Sequence, residues 1–120
     1  MDRLASKTFE KPDETRSFEH GRSDIVRLAG STAAQITLEP GWRWSADVKP
    51  IAGTDSCQGH HVGYVLSGSL HVVADGGEEF DIGPGDAYEI LPGHDAWTVG
   101  DDTFQGLEFQ SQTAAEYAKK

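Results

Sequence analysis

The chain is poor in cysteine and has no long apolar run. Its single cysteine, Cys57, cannot form an intrachain disulfide, which excludes the small secreted domains that are held together by disulfides. No apolar run approaches the roughly 20 residues needed to cross a bilayer, and the first residues lack the apolar segment of a secretory signal. We therefore expect a soluble, cytoplasmic protein that does not associate with membranes.

Basic residues are scarce beyond the first 24 positions. The 120 residues include 10 Lys and Arg against 20 Asp and Glu, so the formal net charge is −10. Between Ile25 and Ala118 there are three basic and fourteen acidic side chains, a balance of −11. A surface this acidic repels the phosphates of nucleic acids and of anionic membranes. The charge therefore excludes nucleic acid as a partner.

Glycine, by contrast, is abundant at 14 residues, and from Ile25 onward short apolar runs alternate with turn residues. Glycine weakens helix interiors, whereas closely spaced runs rich in Val, Ile and aromatics are typical of strands. The pattern predicts an all-β sandwich or barrel. The predicted strands cover residues 25–28, 33–38, 42–45, 62–66, 69–74, 78–82, 86–91, 96–99 and 104–110.

The two ends of the chain differ from this middle part. Residues 1–24 carry mixed charge and few large apolar side chains, so we predict an N-terminal arm that docks on the domain as an arm or as an edge strand. Residues 25–111 are predicted to form the barrel, and residues 112–120 a short C-terminal helix or tail with a basic end. The long connection over residues 46–59 is of a length that is often functional in a compact domain.

Two segments carry a resemblance to a known family. HVGYVLSG at residues 61–68 is followed by FDIGPGDAYEILPG at residues 80–93. In the order and spacing of their turns these segments resemble the small cupins, and the resemblance covers about residues 35–110. It implies a cupin-type double-stranded β-helix, or jelly-roll barrel. It also implies a homodimer, in which the N-terminal arm with Phe9 and Phe18 is a candidate swapped strand.

The resemblance does not extend to the metal ligands of the family. Alignment on the motif glycines places Asp55, Cys57 and His61 where the first cupin motif has two histidines and a glutamate. In the second motif Ala96 stands at the histidine position. None of the four usual ligands is kept in kind, so the resemblance does not imply the usual iron or manganese enzyme.

A different set of ligands lies close to those positions. The family register turns His61 inward, and a bend at residues 58–59 would bring Cys57 towards it. His94 lies at the opposite turn of the barrel, and Asp55 is a candidate fourth ligand. Sulfur combined with imidazole favours one divalent transition metal, with zinc preferred and iron, nickel or manganese as alternatives.

Three further residues are candidates for the wall of a small-molecule pocket. Arg43 could clamp a carboxylate or phosphate group. Trp44 lies on a face that packs in the core or lines the pocket, and Tyr88 belongs to a strand that lines the barrel. Glu89 and Glu108 are the strand acids most able to reach a pocket, but we expect both to be solvated, as acidic side chains usually are.

Several functions remain open at this point. The barrel is predicted to bind a small molecule, either as a metal-dependent enzyme on a small polar substrate or as a non-catalytic binding or sensing protein without metal. Cys57 beside a histidine is also a candidate thiol nucleophile, and an accessory dimer without any ligand is a further alternative. Metal analysis of the purified protein separates the first of these functions from the others.

Overall fold

The computed structural model describes residues 3–109. In chain order the elements are β1 (Glu14–Phe18), β2 (Gly21–Arg27), β3 (Thr32–Leu38), α1 (Trp44–Asp47), α2 (Lys49–Ala52), β4 (His61–Ser67), β5 (Leu70–Ala74), β6 (Glu79–Ile82), β7 (Ala87–Ile90), β8 (His94–Thr98) and β9 (Phe104–Phe109). The two helices have four residues each, and no helix in the described part of the chain is long and apolar enough to span a membrane.

The strands form two antiparallel sheets. The larger sheet has the order β1-β2-β3-β9-β4-β7 and the smaller sheet the order β6-β5-β8. Inward side chains of both sheets share one core, to which the larger sheet contributes Ile36 and Val65 and the smaller sheet contributes Val72 and Ile82. The all-β architecture predicted from the turn pattern is confirmed.

The alternation along β4 decides which of its side chains enter the barrel. His61 and Val65 are 7% and 0% exposed, whereas Val62, Tyr64 and Leu66 are 43–45% exposed. The predicted register of this strand is therefore correct, and it directs the imidazole of His61 into the core.

The predicted strand at residues 42–45 is wrong. Arg43 has an extended backbone, but α1 begins at the next residue, Trp44. The carboxylate of Asp47 accepts a hydrogen bond from the Arg43 backbone N–H at 3.0 Å, which stabilises this first turn. The long connection that follows consequently starts with helical turns. Both Trp42 and Trp44 are nevertheless buried.

The predicted N-terminal arm is not confirmed. β1 and the first residues of β2 fall within residues 1–24, and the two strands pair with each other in the same chain. β1 is thus an edge strand of the larger sheet, which is the alternative left open by the sequence, and Phe18 packs against the core. The predicted C-terminal helix or tail at residues 112–120 lies outside the described residues.

Candidate metal centre

Three buried side chains meet inside the barrel, and they are Cys57, His61 and His94. One ligand atom from each lies within 4.8 Å of the others, and the residues are only 4%, 7% and 4% exposed. The Sγ atom of Cys57 is 3.6 Å from His61 Nε2. The two imidazole rings meet edge to face with their centroids 5.0 Å apart. The structure therefore brings together three of the four residues that the sequence nominated as metal ligands.

Backbone hydrogen bonds hold Cys57 against the start of β8. Its N–H donates to the carbonyl of His94 at 2.7 Å, and its own carbonyl accepts from the N–H groups of Gly93 and His94 at 2.7 and 3.2 Å. These bonds form an isolated antiparallel bridge between Cys57 and His94. Residues directly opposite each other in such a pair place their side chains on the same face. The chain then turns through residues 58–60 into β4, where His61 faces the same interior.

Both histidines use Nδ1 for a hydrogen bond outside the cluster. His61 Nδ1 lies 3.0 and 3.3 Å from the two carboxylate oxygens of Glu108, and His94 Nδ1 lies 2.9 Å from the carbonyl oxygen of Leu91. An acceptor at Nδ1 keeps the ring proton there, so the Nε2 atom of the neutral ring carries a lone pair. Oxygen acceptors behind the imidazoles are the usual means of orienting metal-binding histidines.

The carboxylate of Glu108 links His61 to Tyr88. It is only 4% exposed, and it accepts a hydrogen bond from the Tyr88 hydroxyl at 2.8 Å. The expectation that this glutamate is solvated was therefore wrong. The signal in the sequence was the alternation of β9, because Phe104 and Glu108 have the same parity and both are buried. Glu89, in contrast, is exposed as expected.

The ionisable groups of the cluster shift one another's protonation. Burial raises the pKa of the Cys57 thiol, but hydrogen bonds and charge interactions with His61 and His94 outweigh burial and lower this pKa to about 6. Burial has the opposite effect on an imidazole and lowers the pKa of His61. The charge of Glu108 and the hydrogen bond with Cys57 outweigh burial and raise this pKa to about 10. Both shifts act in the direction of a thiolate at Cys57 and a protonated ring at His61.

A cavity of about 40 Å³ lies next to the cluster. Trp44 and Tyr88, two of the predicted pocket residues, line it together with Trp42. The Nε1 atom of Trp42 is buried and has no hydrogen-bond partner among residues 3–109. A space of this size accommodates an ion with a water molecule, or a ligand group of a few atoms, since pockets for whole drug-sized ligands have roughly 300–1,000 Å³.

Two of the predicted site residues lie elsewhere. The side chain of Asp55 is fully exposed, because the bend that precedes Cys57 lies at the surface. Its carboxylate is 4.0 Å from Lys49 Nζ. The guanidinium carbon of Arg43 lies 4.0 Å from the ring centroid of Trp97, and the same guanidinium is 3.8 Å from the carboxylate of Asp95. Neither Asp55 nor Arg43 contributes to the cavity wall.

Comparisons with known proteins give matches among solved structures only. No family model matches the chain, and no curated protein matches it. A protein of unknown function from Rhizobium leguminosarum matches with a TM-score of 0.64 at 20% identity, over 90% of this chain and 96% of that one. An oxalate decarboxylase from Lactobacillus farciminis, solved as a formate complex, matches with 0.61 at 17% identity, over 91% of this chain and 33% of that one. The cupin domain of Cnp3 from Schizosaccharomyces pombe matches with a TM-score of 0.58 at 9% identity, over 89% of this chain and 73% of that one.

These similarities establish architecture. At identities of 20% or less the activities of the matched proteins do not transfer to this chain. The function of this chain must therefore follow from the side chains inside its own barrel.

Proposed function

This chain has the cupin fold that its turn motifs predicted, and we propose that its barrel holds a divalent transition-metal ion, preferably zinc, at Cys57, His61 and His94. The ion forms the inner end of a site for a small molecule, on which the protein acts as a metal-dependent enzyme. The observation that carries this proposal is the convergence of one sulfur and two supported imidazoles within 4.8 Å in a buried space.

The donor set fits such an ion. Zinc sites are built from thiolate sulfur and imidazole nitrogen, and sites with three protein ligands leave a position for water or substrate. When bound, the ion would supply Lewis acidity and a water of lowered pKa. Glu108 and Tyr88 hold the ring of His61 in position from behind. The buried N–H of Trp42, which lacks a partner among the described residues, is a donor for a ligand oxygen or a water in the cavity.

Elemental analysis tests the ion directly. After growth in zinc-supplemented medium we expect about one metal ion per chain, and we expect the Cys57→Ala and His61→Ala variants to lose it. His60→Ala is the matched control, because this histidine directly precedes His61 but is partly exposed and bonds to Glu89 at 2.9 Å. After cobalt substitution, a sulfur-to-metal charge-transfer band should appear in the wild type and be absent from Cys57→Ala. Wild-type protein without stoichiometric metal after reconstitution would overturn the proposal.

A metal-free binding or sensing protein is the second candidate. It is favoured by the contact between Cys57 Sγ and His61 Nε2 at 3.6 Å, since a thiolate and an imidazolium satisfy each other without an ion. A thermal-shift screen of sugars, organic acids and amines, with zinc and with a chelator, separates the two candidates. Stabilisation that requires zinc supports the metal site, and stabilisation that persists in chelator supports the second candidate. Turnover of a stabilising compound identifies an enzyme.

We also propose a homodimer that forms through the outer face of β4 and β9. Val62, Tyr64, Leu66 and Phe109 are 43–53% exposed on these two adjacent strands. Contiguous exposed apolar side chains of this kind mark interaction surfaces, and a second copy is their commonest partner. Light scattering should give the mass of a dimer for the wild type and of a monomer for Tyr64→Glu. Thr54→Glu, which adds the same charge on an exposed loop, is expected to stay dimeric.

A further inference from the structure

A second and larger cavity adjoins the candidate metal centre. It has a volume of about 320 Å³ and lies between the inner face of the smaller sheet, at Val72 and Phe80, and residues 90–94. We call this space the outer cleft. Ile90 and His94 line both the outer cleft and the inner cavity. The outer cleft is thus the larger space next to the side chains proposed to hold the ion.

The two cavities differ in size, so they would hold different parts of a substrate. The inner cavity, at about 40 Å³, has room for a reacting group of a few atoms. The outer cleft, at about 320 Å³, reaches the range of small-molecule pockets, which begins at roughly 300 Å³. A substrate with more than a few atoms must therefore keep its body in the outer cleft, with one end next to His94.

The walls of the outer cleft are largely apolar. Val72, Phe80, Leu91 and Pro92 contribute to them, and Phe80 and Leu91 remain 44% and 63% exposed. A ligand with an apolar body would remove these side chains from water, which is favourable in proportion to the area covered. The cleft therefore favours a compact hydrocarbon or aromatic body over a sugar-like one.

The charged side chains that line the cleft within the described part of the chain are acidic. Glu78, Glu79 and Glu89 contribute to the wall, whereas no lysine or arginine among residues 3–109 does. Two of these carboxylates have a histidine neighbour, with His60 Nε2 at 2.9 Å from Glu89 and His71 Nε2 at 3.3 Å from Glu79. Carboxylates bind ammonium or amidinium groups by charge-assisted hydrogen bonds, and they repel carboxylate or phosphate ligands. The net charge of −10 acts in the same direction.

We propose that the outer cleft binds a small organic cation, an amine or amidine on an apolar body, as the substrate of the metal centre. The apolar body covers Phe80 and Leu91, the cationic group lies at the glutamate rim, and the opposite end of the molecule reaches His94. The role as substrate rests on the proposed function, whereas binding of the cation to the cleft does not require the ion.

Three aromatic probes of similar size test the charge preference, namely benzylammonium, benzyl alcohol and benzoate. Each is titrated into the full-length protein at neutral pH and low salt, and binding is followed by amide chemical shifts. We expect benzylammonium to bind about tenfold more tightly than benzoate, with a preference that shrinks as salt is raised. The largest shifts should occur at the backbone N–H groups of Phe80, Leu91 and Gly93.

Two double variants that remove the same number of charges separate the effect of the rim carboxylates on binding from the effect of the net charge. Glu78→Gln combined with Glu89→Gln should weaken benzylammonium severalfold, because two rim carboxylates are lost. Asp101→Asn combined with Asp102→Asn removes the same two charges from an exposed turn outside the cleft and should leave the affinity unchanged. Equal effects of the two pairs would contradict the proposal.

The remaining outcomes are equally decisive. Equal affinity for the three probes, tighter binding of benzoate, or shifts that cluster away from the cleft would overturn the inference. Repeating the titration with Cys57→Ala separates it from the metal proposal. If the protein holds no metal but benzylammonium still binds in the cleft, the cation site stands and its substrate role fails. If metal is bound and benzylammonium is not, the metal centre stands and this inference fails.

Discussion

Gly63→Ala tests whether the close approach of β4 and β9 builds the candidate site. A Cβ atom at this position would lie 2.3 Å from the backbone oxygen of Leu107 and 2.8 Å from the ring and hydroxyl of Tyr88. Gly63 is paired with Glu108 on β9 and with Tyr88 on β7. The added methyl group therefore forces the strands that carry Glu108 and Tyr88 away from β4.

The cost follows from these contacts. Overpacking of this kind costs about 1–3 kcal/mol, and each ladder hydrogen bond that is stretched costs about 0.5–1.5 kcal/mol. The smaller entropy of the unfolded alanine chain returns about 0.4–1 kcal/mol. We expect the free energy of unfolding to fall by about 2–3 kcal/mol as the net result. Zinc affinity should fall as well, because the hydrogen bonds behind His61 come from the displaced strands.

Urea unfolding at pH 7 in the presence of a chelator measures the free energy of unfolding. Competition with a chromophoric zinc chelator measures the zinc affinity. Gly76→Ala is the matched control, because a Cβ at that position meets nothing within 4 Å, and we expect it to change stability by less than about 0.5 kcal/mol. If Gly63→Ala were as stable as Gly76→Ala, the tight β4–β9 contact would have no energetic role. If it lost stability but kept full zinc affinity, that contact would not position the metal centre.

Two further predictions concern pH. Zinc affinity should rise about tenfold per pH unit between pH 7 and 9, because His61 with its pKa of about 10 must release a proton on binding while Cys57, with a pKa of about 6, is already a thiolate. Chelator competition across this range checks it, and a flat profile would contradict it. Glu14 has its pKa lowered to about 2 by hydrogen bonds with Arg16 and Arg27, so its contribution is complete above its ordinary value of 4.5 and is lost as pH falls towards 2. The stability difference between wild type and Glu14→Gln in urea should therefore be largest above pH 5 and disappear in acid, and a difference independent of pH would refute this assignment.

Most of the barrel could be predicted because its signals are local. The glycine-rich turns and the alternation along β4 determine where strands reverse and which face is buried, and the structure agrees with both. The segment at residues 42–45 alternates just as a strand does, yet the carboxylate of Asp47 closes a helical turn there. Residues 14–18 pair as an edge strand of the larger sheet, whereas their composition left a docked arm and an edge strand open, because pairing with β2 supplies backbone hydrogen bonds that composition does not reveal.

Some features of the candidate site could likewise be predicted from the sequence, and others could not. Motif spacing is a property of the chain, and it was enough to nominate Cys57, His61 and His94 as candidate ligands. The exposure of Asp55 and the burial of Glu108 against His61, a residue 47 positions away, became visible in the folded chain. Side chains so far apart in the chain meet only once β9 has paired with β4. The candidate ligands can therefore be named from local motif spacing, whereas the hydrogen bonds that orient them are created by strand pairing.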